Sequence, residues 1–122
     1  MPSQNDGRRV LVVDDDARIT ELLVTMLQAL GHTTAGALSR DEALQSARGF
    51  RPDVVLLDVT MPGVAGADLL LALMQAAPQA RVLVMTGDPA RAAVLLEHGA
   101  VGYLTKPFRI ETLAETLKKV VA

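Results

Sequence analysis

Two kinds of apolar spacing alternate along this chain. Val10-Leu11-Val12-Val13, Val54-Val55-Leu56-Leu57 and Val82-Leu83-Val84-Met85 are apolar on both parities, which reads as strands buried on both faces of a parallel sheet. They predict strands near residues 9–13 (β1), 53–57 (β3) and 81–85 (β4). Ile19, Leu22, Leu23, Met26, Leu27 and Leu30 instead fall at helical spacing and stop at Gly31, a good residue just beyond a helix C-terminus; this is α1. A weaker strand follows at 32–37 (β2). Ser39-Arg40-Asp41-Glu42 has the Ser-x-x-Glu form of a capping box and opens α2 toward Arg48. A loop through Met61-Pro62-Gly63 and Gly66 leads to a helix at 67–77 (α3), which Pro78 ends. A helix at 90–98 (α4) can start on Pro89 and close at Gly99, and a strand follows at 101–104 (β5). In α5, Ile110, Leu113, Leu117 and Val120 return to helical spacing. Alternating strands and helices predict an α/β fold, a parallel sheet with helices on both faces.

Polar residues sit where the strands stop. Asp14 and Asp15 follow β1, Asp58 follows β3, Thr86-Gly87-Asp88 follows β4, and Thr105-Lys106-Pro107-Phe108 follows β5. Carboxyl ends of parallel strands open onto the crevice where open α/β sheets bind ligands. Three carboxylates on one edge repel by about 4 kcal/mol per pair at 4 Å and an effective dielectric near 20, which a cation between them relieves. Magnesium, with its preference for hard oxygen ligands, is the natural candidate.

Composition narrows the function classes. A chain of 122 residues, half of them apolar, suits one domain. We expect a frayed tail over residues 1–7 and one folded unit over 8–122. A net charge of -2 argues against a nucleic-acid surface, and Arg8-Arg9 and Lys118-Lys119 read as solvated ends. The chain has no cysteine, which excludes disulfide and thiolate chemistry and fits the cytoplasm. The densest apolar run, Leu69 to Met74, is far short of a membrane span.

Val-Val-Asp-Asp-Asp after β1, Leu-Leu-Asp-x-x-Met-Pro-Gly after β3, Met-Thr-Gly after β4 and Tyr-Leu-Thr-Lys-Pro-Phe at β5 together resemble the receiver domain of two-component response regulators. The resemblance runs from Arg9 to the last helix. It implies a flavodoxin-like (βα)5 three-layer sandwich of strand order 2-1-3-4-5. It implies that Asp58 accepts a phosphoryl group as an acyl phosphate, and that Asp15, with Asp14, holds Mg2+ together with Asp58 and the backbone carbonyl of Thr60. Thr86 would place its hydroxyl, Gly87 its N–H and Lys106 its ammonium on the phosphoryl oxygens, with a cis Lys106-Pro107 bond. Tyr103 resembles an aromatic switch that turns inward when Thr86 moves. The implied donor is a sensor histidine kinase or phosphotransfer protein, and the protein is a switch that catalyses only its own phosphorylation and dephosphorylation.

Structural alternatives stand beside these roles. Asp16 reads as the cap of α1. Thr86 read alone would cap α4, Lys106 would be a solvated loop cation, and Tyr103 a half-buried strand residue. His32 and His98 read as surface or strand-edge residues, Phe50 as core, and Phe108 as packed beside the turn after β5. Thr60 and Asp88 occupy positions that in the family tune access of water to the acyl phosphate. No Gly-x-x-x-x-Gly-Lys, Gly-x-Gly-x-x-Gly or Gly-x-Ser-x-Gly motif supports a nucleotide-binding or hydrolase reading. A phosphorylation-independent module would be expected to lack some of the acids. Output is expected through α4, β5 and α5, where Ala92-Ala93-Val94-Leu95-Leu96 is apolar nearly all round; this surface would meet a downstream partner, an effector domain or a second copy in a homodimer.

Overall fold

The computed structural model describes residues 7–61 and 65–121. The expected tail, apart from Gly7, and the Pro62-Gly63 part of the expected loop lie outside them. The elements are β1 (Arg9–Val13), α1 (Ala17–Ala29), β2 (Thr33–Ala37), α2 (Arg40–Gly49), β3 (Val54–Asp58), α3 (Gly66–Ala76), β4 (Arg81–Thr86), α4 (Pro89–Glu97), β5 (Gly102–Thr105) and α5 (Ile110–Val121). The sheet is fully parallel in the order β2-β1-β3-β4-β5, the expected flavodoxin-like topology. No helix among the described residues is long and apolar enough to cross a membrane.

The two-parity apolar runs explain the layers. Leu11, Val13, Val55, Leu57, Val82 and Val84 point to one face and pack with Ala43, Leu69, Leu73, Ala92 and Leu95 from α2, α3 and α4. Val10, Val12, Val54, Leu56, Leu83 and Met85 point to the other, against Leu23 and Leu27 of α1 and Leu113 and Leu117 of α5. Each of these large side chains contributes about 1.5–3 kcal/mol by leaving water, so the strand ends are held on a rigid frame.

The helix termini follow their sequence signals with two refinements. Asp16 caps α1 by accepting from the N–H groups of Arg18 and Ile19. Gly31, at φ 96°, ends α1 while the N–H groups of Gly31 and His32 bond the carbonyls of Gln28 and Leu27, a closure only glycine adopts without strain. Ser39 accepts from Glu42 N–H as a capping box requires, but the Glu42 carboxylate reaches Leu38 N–H, one residue earlier than the usual partner. Asp88, rather than Thr86, caps α4, with Pro89 in its first turn.

The buried face of α1 keeps Leu23 and Leu27 of the expected set and adds Thr20. Thr20, Leu23 and Leu27 are buried, whereas Ile19, Leu22 and Leu30 are exposed. Leu23 and Leu27 pack on the sheet with Val10, Val12, Val54 and Leu56, and Thr20, one turn earlier on the same face, is buried with its hydroxyl bonded to the Asp14 carbonyl. The arginine pair is also more engaged than a solvated end. The Arg9 guanidinium lies 4.2 Å from the Phe50 ring centroid and donates to the Phe50 carbonyl, tying the start of β1 to the end of α2.

His32 accepts the Arg8 N–H on Nδ1 at 3.0 Å, and burial together with the Arg8 charge holds its imidazole below the ordinary value of 6.5. The unfolded chain therefore binds the proton more readily. The stability contributed by neutral His32 is complete above the unfolded value and is lost as pH falls from there through the folded value. We expect the urea midpoint of the wild type to drop between pH 7.5 and pH 5 by more than that of His32→Gln. Equal drops in the two proteins would show that His32 does not carry this linkage.

Candidate functional site

Register places the acids together. Val10 to Val13 pair in step with Val54 to Leu57, so the residues following β1 and those closing β3 emerge on the same edge. Asp14 and Asp58 are buried and Asp15 is exposed. One oxygen from each of the three lies within 4.8 Å of the others. Three hard oxygen donors at that spacing fit a divalent cation, the arrangement the strand ends implied.

Lys106 enters from β5 to the same point. Its Nζ stands 3.2 Å from Asp14 Oδ2 and 3.4 Å from Asp58 Oδ1, with 27 % of the side chain exposed. It is thus an internal counter-ion bridging two buried acids, and the reading of a solvated loop cation is excluded. The Lys106-Pro107 bond is cis, as the resemblance implied. Asp14 also accepts Asp16 N–H on Oδ1 at 3.0 Å. Burial pushes its carboxyl above the ordinary 3.8, and the Asp58 charge adds to the rise; Asp16 N–H and Lys106 oppose it without cancelling it.

Asp58 Oδ1 receives two donors from Thr60, the backbone N–H at 3.0 Å and the hydroxyl at 2.7 Å. This hydroxyl contact was not legible beforehand, because a threonine two residues past a strand has many rotamers until the chain folds back on the carboxylate. Thr86, at the end of β4, is fully buried; its hydroxyl accepts Asp88 N–H at 3.0 Å, and its carbonyl accepts Lys106 N–H at 2.9 Å. Gly87 follows at the same edge, and a Cβ there would meet nothing within 4 Å. Arg91, from the first turns of α4, donates to the Val59 carbonyl at 3.3 Å, so α4 is tethered to the residue following Asp58. The Asp88 cap had a usable signal in the Asp-Pro step ahead of α4; the Arg91 tether had none.

Tyr103 does not turn inward here. It is 43 % exposed, in company with exposed Val94, Leu96 and Val101 on the α4-β5 side. Two of the five residues of the apolar α4 run, Ala92 and Leu95, are therefore core, and the other three are surface. His98 is exposed, with its ring against the Val94 carbonyl, and neither histidine approaches the acids among the described contacts. A second apolar surface lies beside Lys106: Ile19, Leu22, Leu23, Met26, Pro107 and Phe108 line a groove of ≈ 480 Å³.

Comparison with known proteins agrees with this geometry. Residues 10–118 match the family model described as the response regulator receiver domain. The chain is 33% identical to the chemotaxis protein CheY of Thermotoga maritima, over 93% of this chain and 98% of that one. It is 36% identical to the DNA-binding response regulator MtrA of Mycolicibacterium paratuberculosis over 91% of this chain, but spans only 50% of that longer protein. Among solved structures, the chemotaxis protein CheY4 of Vibrio cholerae superposes with a TM-score of 0.85 at 33% identity, covering 93% of this chain and 98% of that one. NtrX of Brucella abortus gives 0.88 at 28% identity, covering 94% of this chain and 27% of that one. With the acids, the threonine and the lysine gathered at one edge of a 2-1-3-4-5 sheet, the chain belongs to the response regulator receiver domain family, phospho-accepting switches of two-component signalling.

Proposed function

We propose that residues 8–122 form one receiver unit in which Asp58 accepts a phosphoryl group from a sensor histidine kinase or phosphotransfer protein. The observation that carries this reading is the convergence on Asp58: two donors from Thr60 and the Lys106 ammonium all lie on Oδ1. Oδ2 is then the oxygen left for in-line attack. It forms the new O–P bond as the bond from phosphorus to the donor nitrogen breaks, and the donor leaves with that electron pair. Phosphoryl transfer asks mainly for positioning and for positive charge on the equatorial oxygens. Lys106 would release Asp14 and follow the phosphoryl group, the Thr86 hydroxyl and Gly87 N–H would donate to its oxygens, and Thr60 would hold the carboxylate plane. Asp14, Asp15, Asp58 and the Thr60 carbonyl would hold Mg2+, which when bound supplies further charge neutralisation on the transferring group.

The output follows from what Thr86 gives up. Its hydroxyl now accepts Asp88 N–H, and Asp88 caps α4; turning toward a phosphoryl oxygen breaks the first of these bonds and loosens the start of α4. Space left by Thr86 would admit Tyr103, moving the exposed patch of Val94, Leu96 and Val101. This α4-β5-α5 surface would meet a downstream partner, an effector domain or a second copy, and the groove beside Lys106 would receive the phosphodonor. Incubation with acetyl phosphate and Mg2+ should add one base-labile phosphoryl mass, suppressed by EDTA, and should alter amide exchange in α4 and β5. No adduct, or exchange confined to α1 and α2, would overturn the assignment of acceptor or of output face respectively.

A further inference from the structure

The peptide that joins the two acids after β1 is held by a side chain from α1. Thr20 is buried, and its hydroxyl donates to the Asp14 carbonyl at 2.8 Å, reaching back six residues. Asp14 N–H is meanwhile bonded to the Ala37 carbonyl of β2 at 3.1 Å. The strand contact holds the peptide before Asp14 and the threonine holds the Asp14-Asp15 peptide, so the two together fix the direction in which both carboxylates leave the chain.

A glycine makes room for that threonine. Gly36 lies in β2, paired with Val12, and a Cβ built on it would stand 2.6 Å from the Thr20 methyl. Such a distance forces movement. Thr20 cannot yield cheaply: a β-branched side chain on a helix has few χ1 choices, and rotating it takes the hydroxyl off Asp14. Gly36 has an ordinary strand conformation, without positive φ, so its smallness and not its flexibility is what the site uses.

We propose that Thr20 is a positioning residue for the cation-binding acids and that Gly36 is its spacer. The inference rests on the reading of Asp14 and Asp15 as cation ligands. Groups that orient ligands from outside the coordination sphere typically change metal affinity by about 10- to 100-fold when removed. The lower figure applies here, since one of several restraints on Asp14 is lost.

Mg2+ alone, titrated calorimetrically into the folded protein, provides the test. Thr20→Val keeps the shape and deletes the donor; Gly36→Ala pushes the donor away. Both are expected to weaken Mg2+ binding by about tenfold. Thr20→Ser retains the hydroxyl without the methyl that a Cβ added at Gly36 would strike, so Thr20→Ser alone and the Gly36→Ala/Thr20→Ser double variant should bind within about twofold of wild type. Urea midpoints taken in parallel separate a structural role, which would lower stability and leave the affinity of the folded protein unchanged. Unchanged affinity in Thr20→Val and Gly36→Ala, with wild type binding normally, overturns this inference alone. A double variant as weak as Gly36→Ala overturns the spacer role, and a wild type that binds no Mg2+ removes the inference together with the site reading beneath it. If Thr20→Val does not fold, Gly36→Ala and its double variant decide the matter.

Discussion

Asp58→Asn is expected to abolish phosphoryl uptake from acetyl phosphate or phosphoramidate, a loss of at least about a thousandfold, in keeping with removal of the nucleophile from a covalent mechanism. The amide preserves the shape of the carboxylate and can still accept the N–H and hydroxyl of Thr60 on its oxygen, so the β3 end should keep its conformation. What disappears is the anionic oxygen that attacks phosphorus. The variant also deletes one of two buried like charges, and the Asp14 carboxyl, raised in part by Asp58, should titrate nearer its ordinary range. Metal-free stability should therefore hold or rise slightly while Mg2+ binds more weakly. Intact mass spectrometry reads the first effect and thermal melting in EDTA the second. A full adduct on the variant would place the acceptor elsewhere.

Lys106→Ala should be the most destabilising change at the site in the absence of metal. The lysine is the cation standing between Asp14 and Asp58, both nearly inaccessible. Breaking a buried pair by removing one partner commonly costs about 3–5 kcal/mol. About 2–3 is expected here, because Lys106 keeps 27 % of its side chain in solvent and Asp14 can take up a proton. At this chain length that is roughly 10 °C in melting temperature. Mg2+ should restore much of the loss, since ligand at a hundred times its Kd adds about 2.7 kcal/mol, and the variant should bind the ion more tightly than wild type because no ammonium competes for the same oxygens. The deficit should also narrow on acidification, as protonation of Asp14, whose carboxyl is already raised, removes the uncompensated charge. Identical melting of the two proteins in EDTA would mean that the ammonium contributes nothing to the fold.

Some features of the molecule needed only the order of residues. Runs apolar on both parities dictate strands covered on both faces, and their alternation with helical spacing dictates a parallel sheet with helices on either side. The carboxyl ends of such strands share an edge, so Asp14, Asp15, Asp58, Thr86 and Lys106 were expected on one edge of the sheet. The local closures at Asp16, Ser39, Gly31 and Gly99 were equally readable, because a cap is satisfied within a few residues of itself.

Tertiary packing decided the choices that depend on residues distant in sequence. The apolar set on α1 is wider than the face the sheet covers, and only packing buried Leu23 and Leu27 with Thr20 while leaving Ile19, Leu22 and Leu30 exposed. Lys106 is 92 residues from Asp14, and nothing local distinguishes an internal counter-ion from a solvated loop lysine. The clamp of Thr60 on Asp58, the Arg91 tether to Val59 and the outward Tyr103 are rotamer choices, made by whichever partner the folded chain brings within hydrogen-bonding reach or leaves in water. Periodicity is a property of the backbone and is written along the sequence; the pairing of polar groups is a property of the space between elements, and it exists only once they have packed.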